Sequence, residues 1–119
     1  MAENVYWMFE LTVNPQQLDE LKGLLEAMVS SIKSSEPGTL NYEWSVDAAH
    51  TTVHVYERYQ DSSATLSHLA SFRAKFGARL RQLANPARLT VYGSPDIQLK
   101  SALAGLNPVY MSPLAGFQR

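Results

Sequence analysis

ERYQDSSATLSHLAS, residues 57–71, decides how this chain folds. Glu57 and Tyr59 close an alternating run that reads as a β-strand. Asp61 stands where a helix N-cap belongs, because its side chain can accept from the N–H groups that a first turn leaves unpaired. Leu66 and Leu69 follow at helical spacing, with His68 two turns into the helix. A strand passing through so short a turn into a helix is half of a small sheet-and-helix unit. It places a few polar groups beside an apolar wall, which suggests small-molecule chemistry.

Upstream, residues 40–46 and 51–59 read as two strands joined by Asp47-Ala48-Ala49-His50, a short hairpin connection. Symmetric pairing about that turn puts Leu40, Tyr42, Trp44 and Val46 on one face with Val53, Val55, Glu57 and Tyr59. Asn41, Glu43, Ser45, Thr52, His54, Tyr56 and Arg58 take the other face. Residues 5–13 form a first strand, in which Val5, Trp7, Phe9, Leu11 and Val13 alternate with Tyr6, Met8, Glu10 and Thr12. Its second face is also partly apolar, as in a strand covered on both sides. Asn14 before Pro15 is a helix start, and Leu18, Leu21, Leu25, Met28 and Ile32 make one apolar stripe. Asp19 and Glu20 lie near the positive end of that helix dipole. Glu36-Pro37-Gly38 stops the helix.

Downstream, Leu66, Leu69, Phe72, Phe76, Leu80 and Leu83 form a second stripe, with a break expected near Ser71 and an end at Asn85-Pro86. Residues 88–92 predict a fourth strand closed by Gly93-Ser94-Pro95, and residues 96–104 a short third helix. The tail NPVYMSPLAGFQR is too apolar to stay free. The order strand, helix, strand, strand, helix, strand predicts an α+β, ferredoxin-like sandwich with an antiparallel sheet. Residues 1–93 make the domain. Residues 94–119 are an extension expected to dock on that domain or on a partner subunit. Helices cover one sheet face only, so the second partly apolar face needs another cover. A second copy would supply it, two sheets closing a dimeric α+β barrel around a cavity.

Composition narrows the partners. The 119 residues suit one domain and bury roughly two-thirds of the unfolded surface at this size. A net charge of −1 without a basic stripe argues against nucleic acid. The absence of cysteine removes disulfides, thiolate metal sites and cysteine nucleophiles. MAENVYWMFELTV has no basic n-region and no small-residue cleavage site. No apolar run reaches the ~20 residues that span a bilayer. The expectation is a soluble cytoplasmic protein with no membrane partner.

The strand running into VNPQQLDEL, the SEPGTLNYEWSVD arm and VYERYQDSSATLSHLAS together resemble the antibiotic biosynthesis monooxygenase domain family of dimeric α+β barrels. The last is the most diagnostic piece: an acidic residue, an aromatic, an acidic turn, then a helix with His-Leu before small residues. The resemblance covers about residues 5–93 and implies a homodimer with a pocket between the sheet and the second helix. In several members it also implies oxygenation of quinol- or anthrone-like aromatics without metal, flavin or haem. Other members degrade haem, isomerise signalling metabolites or have no known activity. Many members carry a second histidine after the small residues. Here Phe72-Arg73-Ala74-Lys75 follow Ser71, so the resemblance carries no second histidine over to this position.

The reading that follows is a cofactor-independent monooxygenase acting with O2 on a small quinol-, phenol- or anthrone-like aromatic. Its rivals are a non-catalytic ligand-binding or stress-response module of the same fold, and a haem-binding or haem-degrading protein. Helical arithmetic puts His68 roughly 100° around from Leu69, on the flank of the stripe. There it is either a general base poised near neutral pH or a boundary histidine bonded to backbone. Glu57 is the polar exception on its strand face. In the monooxygenase reading His68 is the base and Glu57 either holds it in one tautomer or itself accepts a substrate hydroxyl proton; the competing role of Glu57 is a salt bridge with Arg58, Arg73 or Arg88. Tyr59 offers a hydroxyl for a developing oxyanion. Tyr42, Trp44 and Trp7 offer faces on which a flat substrate can stack, the competing role being core packing. If the helices cover that face instead of the cavity, the pocket sees Asn41, His54, Tyr56 and Arg58. His54, Glu43 and His50 are the sole metal candidates, and His50 falls in the hairpin turn, so no metal is expected. There is also no GxSxG elbow, phosphate loop or dinucleotide fingerprint.

Overall fold

The computed structural model describes residues 3–119; residues 1 and 2, included in the domain reading above, lie outside them. β1 (Val5–Val13) leads through Asn14 and a 3-10 turn (Pro15–Gln17) into α1 (Leu18–Ser35). The Asn14 side chain accepts from Gln16 N at 2.9 Å and Pro15 has no N–H to satisfy, so the start signal works as chemistry predicts, one turn before the α-helix proper. Leu21, Met28 and Ile32 of the stripe are buried. β2 (Thr39–Val46) and β3 (Thr52–Tyr59) form the hairpin. Asp47 fastens its turn by accepting from Thr51 N and Thr52 N at 2.9 and 3.0 Å, and His50 takes a left-handed φ of 60°.

The second helical stripe is two helices. α2 (Ser62–Lys75) and α3 (Gly77–Leu83) part at Phe76, five residues beyond the break expected near Ser71. β4 (Ala84–Gly93) begins earlier than the predicted residues 88–92 and runs straight through Asn85-Pro86. Pro86 is tolerated there because it pairs with Leu11 next to a bulge between Glu10 and Leu11, where a missing ladder donor costs little. α4 (Ile97–Leu103) is capped by Asp96, whose side chain accepts from Leu99 N at 2.8 Å. A 3-10 turn (Ala104–Leu106) and β5 (Val109–Met111) follow.

Among the described residues the strands form one sheet in the order β2-β3-β1-β4-β5. The first four are mutually antiparallel, which is the ferredoxin-like arrangement, and β5 adds in parallel to β4. The register puts Trp7 opposite both Glu57 and Val91, and Glu57 opposite Tyr42. The shared face of Tyr42, Trp44, Val53, Val55, Glu57 and Tyr59 therefore stands as expected, and the helices cover it. Leu40 departs from it. A bulge between Thr39 and Asn41 leaves it unpaired and 42% exposed.

Two apolar clusters fill the space between sheet and helices. Leu11, Leu21, Met28, Val53, Val55, Leu80 and Leu83 pack under α1 and α3. Val5, Trp7, Tyr59, Leu89, Val91, Leu99 and Leu103 pack under α2 and α4. Phe9 touches both. Two glycines permit close approaches. Gly93 has φ of +85°, and a Cβ there would stand 2.2 Å from the Asn4 carbonyl oxygen. A Cβ on Gly38 would stand 2.7 Å from that of Ala64, so Gly38 lets α2 lie against the start of β2.

Among the described residues, no helix packs on the other sheet face. Tyr6 stacks on Tyr92 at 5.3 Å and meets Tyr56 edge-on at 6.5 Å, all three half-buried. The tail past β5 leaves Leu114 and Phe117 98% and 80% exposed. No helix among the described residues is long and apolar enough to cross a membrane.

Candidate active site

Three elements bring one buried polar row together. Glu57 sits in the middle of β3, between Trp7 and Tyr42 on the neighbouring strands. His68 is on the inward line of α2, where Ser62, Thr65 and His68 recur at a three-residue interval and are all buried. His68 is 3% exposed, so it lies at the centre of the helix contact and not on its flank. Leu66, Leu69 and Phe72, the apolar residues expected inward, are only half-buried. Small side chains at Ser62 and Thr65 let the helix approach, and two carboxylates draw the imidazole in. Thr65 turns its hydroxyl back to Asp61 O at 2.8 Å, satisfying itself within the helix.

Glu36 is the member that the sequence reading did not find. It follows α1 as the C-cap, and its Oε1 accepts from Thr39 Oγ1 at 2.9 Å. The same oxygen lies 2.7 Å from His68 Nδ1. His68 Nε2 lies 3.2 Å from Glu57 Oε1. Glu57 also accepts from Trp7 Nε1 at 2.7 Å through Oε2, and from the Tyr59 hydroxyl through Oε1. Arg58, a proposed partner of Glu57, binds elsewhere: its Nε donates to Asn41 Oδ1 at 2.7 Å.

The charges follow from these contacts. Burial works to lower the His68 pKa, but the hydrogen bond and charge of Glu57, then those of Glu36, outweigh it and raise the value above the ordinary range. Both ring nitrogens face carboxyl oxygens, and with both carboxyls ionised the two contacts are hydrogen bonds only when each nitrogen carries a proton. The row is therefore carboxylate, imidazolium, carboxylate. The Tyr59 hydroxyl is pushed well up by burial, then by the charge and hydrogen bond of Glu57. Tyr42 is pushed up for the first two of those reasons, so both phenols stay protonated.

The row ends on a cavity of about 80 Å3 at the seam of the two apolar clusters. Its wall includes Trp7, Phe9, Tyr42, Trp44, Glu57 and His68, with Leu103 and Leu106 closing the C-terminal side. Of the sequence candidates, Glu57, His68, Tyr42, Trp44 and Trp7 thus share one cavity. Tyr59 stands behind Glu57 and 5.2 Å from the His68 ring. Asn41, Tyr56 and Arg58 take the opposite sheet face, and His54 faces Glu10 at 3.6 Å there, away from His50. Among the described residues, no group of three His, Asp or Glu side chains is arranged to hold a metal ion. Glu36 and Glu57 meet opposite nitrogens of His68, so neither nitrogen is free to bind haem iron.

A four-stranded antiparallel core with two crossover helices, enclosing an aromatic cavity with one buried acid-base row, defines a ferredoxin-like small-molecule domain. Residues 4–79 match the antibiotic biosynthesis monooxygenase family, and the chain belongs to it. No curated protein matches the chain. The fold is similar to that of MupZ from Pseudomonas fluorescens at 25% identity and a TM-score of 0.86, over 98% of this chain and 95% of that one. It is also similar to a candidate antibiotic biosynthesis monooxygenase from Caulobacter crescentus CB15. There the identity is 20% and the TM-score 0.67, over 79% of this chain and 92% of that one. A further candidate of the same description, from Bacteroides thetaiotaomicron, shares 20% identity with a TM-score of 0.65, over 82% and 93% of the two chains.

Proposed function

We propose that this protein is a cofactor-independent monooxygenase that oxidises a small electron-rich phenol, quinol or anthrone with O2. The observation that carries the reading is the buried Glu36–His68–Glu57 row ending on an aromatic-lined cavity. Family membership is consistent with it. A carboxylate offers about four acceptor sites, and Glu57 has three filled, by Trp7, Tyr59 and His68. The fourth, on Oε2, is free for a substrate hydroxyl.

Glu57 takes that proton, leaving an electron-rich phenolate. One electron passes to O2, and the resulting superoxide and ring radical combine to form a C–O bond. The peroxide anion takes a proton from the row. Loss of water from the hydroperoxide then leaves a new carbonyl on the ring. Substrate CH2 plus O2 becomes C=O plus H2O, so the substrate supplies all four electrons and no external reductant is needed. His68 holds the proton in transit and Tyr59 holds Glu57 in position. A dry cavity protects the radical pair from side reactions. At about 80 Å3 the cavity is below the ~300 Å3 lower bound of ordinary ligand sites, so it has to widen to take a substituted ring.

The test is oxygen consumption by metal-stripped protein with reduced quinols, naphthols and anthrones. Uptake above the spontaneous rate, reduced at least a hundredfold in His68→Gln, is the expected result, since acid-base groups contribute about 10²–10⁴. Saturable ligand binding with no product would replace this reading with the binding module.

We infer also that the uncovered sheet face pairs with a second copy and that residues 94–119 form an extension taking part in that contact. The half-buried Tyr6, Tyr56 and Tyr92 cluster and the exposed Leu114 and Phe117 support this. Deleting residues 107–119 should shift a sedimentation profile from dimer toward monomer. An unchanged dimer would remove the tail from the interface.

A further inference from the structure

Trp44 carries a hydrogen-bond donor that the fold leaves unused. Its indole Nε1 is buried and meets no acceptor. A buried N–H without a partner is destabilising, and its persistence requires an explanation. Trp44 is on β2 opposite Val55, with its ring edge-on to Tyr42 at 6.1 Å. Burial and then the Glu57 charge hold the Tyr42 hydroxyl protonated. The Trp44 N–H works in the opposite direction, so it lies near the Tyr42 oxygen without reaching hydrogen-bond geometry, and both side chains line the same cavity. Tyr42 stands 5.8 Å from the His68 ring, and all three side chains line the cavity.

We propose that Trp44 N–H and Tyr42 O–H form a two-donor site for the oxygen of a bound phenol, positioned to take up the negative charge that appears when the phenol gives its proton to Glu57. This deepens the monooxygenase reading and rests on it for the class of ligand. The balance is simple. Two carboxylates and one imidazolium give the row a charge of −1. Breaking the ligand O–H bond and forming a bond from hydrogen to Glu57 Oε2 moves that charge onto the phenolate oxygen, and no electron is transferred. Charge-assisted hydrogen bonds are about twice as strong as neutral ones, so the two donors favour the phenolate over the phenol. A site that reads an oxygen in this way discriminates against arenes and aryl methyl ethers that cannot ionise. Trp44 and Tyr42 thereby become ligand-binding residues that select ionisable rings.

The test uses 4-nitrophenol, whose two protonation states are distinguished by absorbance, bound across a pH series to the full chain and to Trp44→Phe. The variant keeps an aromatic ring and removes the N–H. Phenolate binding should weaken about tenfold or more, with a smaller loss for the neutral phenol. Binding of 4-nitroanisole should not change. Equal weakening of both nitrophenol forms and of the anisole would mean a packing role and overturn the proposal, as would unchanged phenolate binding or no binding to the parent chain. The phenolate preference without oxygen uptake on any ring would sink the monooxygenase reading and leave the two-donor site standing.

Discussion

Glu57→Leu should destabilise the protein by about 3 kcal/mol or more and abolish catalysed oxygen uptake. The carboxylate is 5% exposed and accepts from Trp7 Nε1, the Tyr59 hydroxyl and His68 Nε2. Leucine leaves all three donors unpaired inside the core and the imidazolium with Glu36 alone. Removing one member of a buried ion pair typically costs about 3–5 kcal/mol, because the remaining charge stays out of water without compensation. Glu57→Gln keeps the shape and one acceptor, so its cost should be smaller, about 1–3 kcal/mol. Urea unfolding at neutral pH would measure both. Replacing Glu36, His68 and Glu57 together with apolar residues should recover part of the lost stability while leaving turnover absent. That outcome would mean the row is kept for chemistry at the expense of stability. A Glu57→Leu variant as stable as the parent would mean that the row is not ionised.

The fold was legible because its periodicities are clean. Five alternating apolar residues in β1 and the stripe of α1 admit few other readings, and Asn14-Pro15 and Asp61 each satisfy the N–H groups they were expected to satisfy. Local signals failed where tertiary pairing outweighed them. Asn85-Pro86 read as a stop, yet lies within β4 because the bulge at Ala87, beside Pro86, removes the need for the missing N–H. The inward line of α2 is polar, so an argument from its leucines placed His68 on the flank. Burying polar residues there breaks the usual pattern, and such breaks are expected where function intervenes. Glu36 was hidden because its partner is 32 residues away in sequence. One signal could have exposed it. A carboxylate just past a helix C-terminus faces the negative end of the dipole, an unfavourable position that calls for a cation nearby.

The pH dependence of stability and of activity should move together, and their common sign decides what His68 does. Its unfolded pKa is about 6.5, and burial opposed by the bonds and charges of Glu57 and Glu36 leaves the folded value above that. The folded state therefore binds more protons than the unfolded state between the two values. The stability contributed by His68 is fully present below pH 6.5 and is lost as pH rises through the folded pKa. The slope cannot exceed about 1.4 kcal/mol per pH unit for one group. Melting temperature should fall across that window, and His68→Gln should remove this component. Oxygen uptake, corrected for the spontaneous rate, should fall over the same interval, because deprotonation takes from the row the proton that it returns to the peroxide. A neutral imidazole acting as the base would instead raise turnover as pH climbs through the window. A rising limb lost in His68→Gln would assign proton abstraction to His68 and leave Glu57 to orient it; a falling limb lost in the same variant would leave abstraction to Glu57.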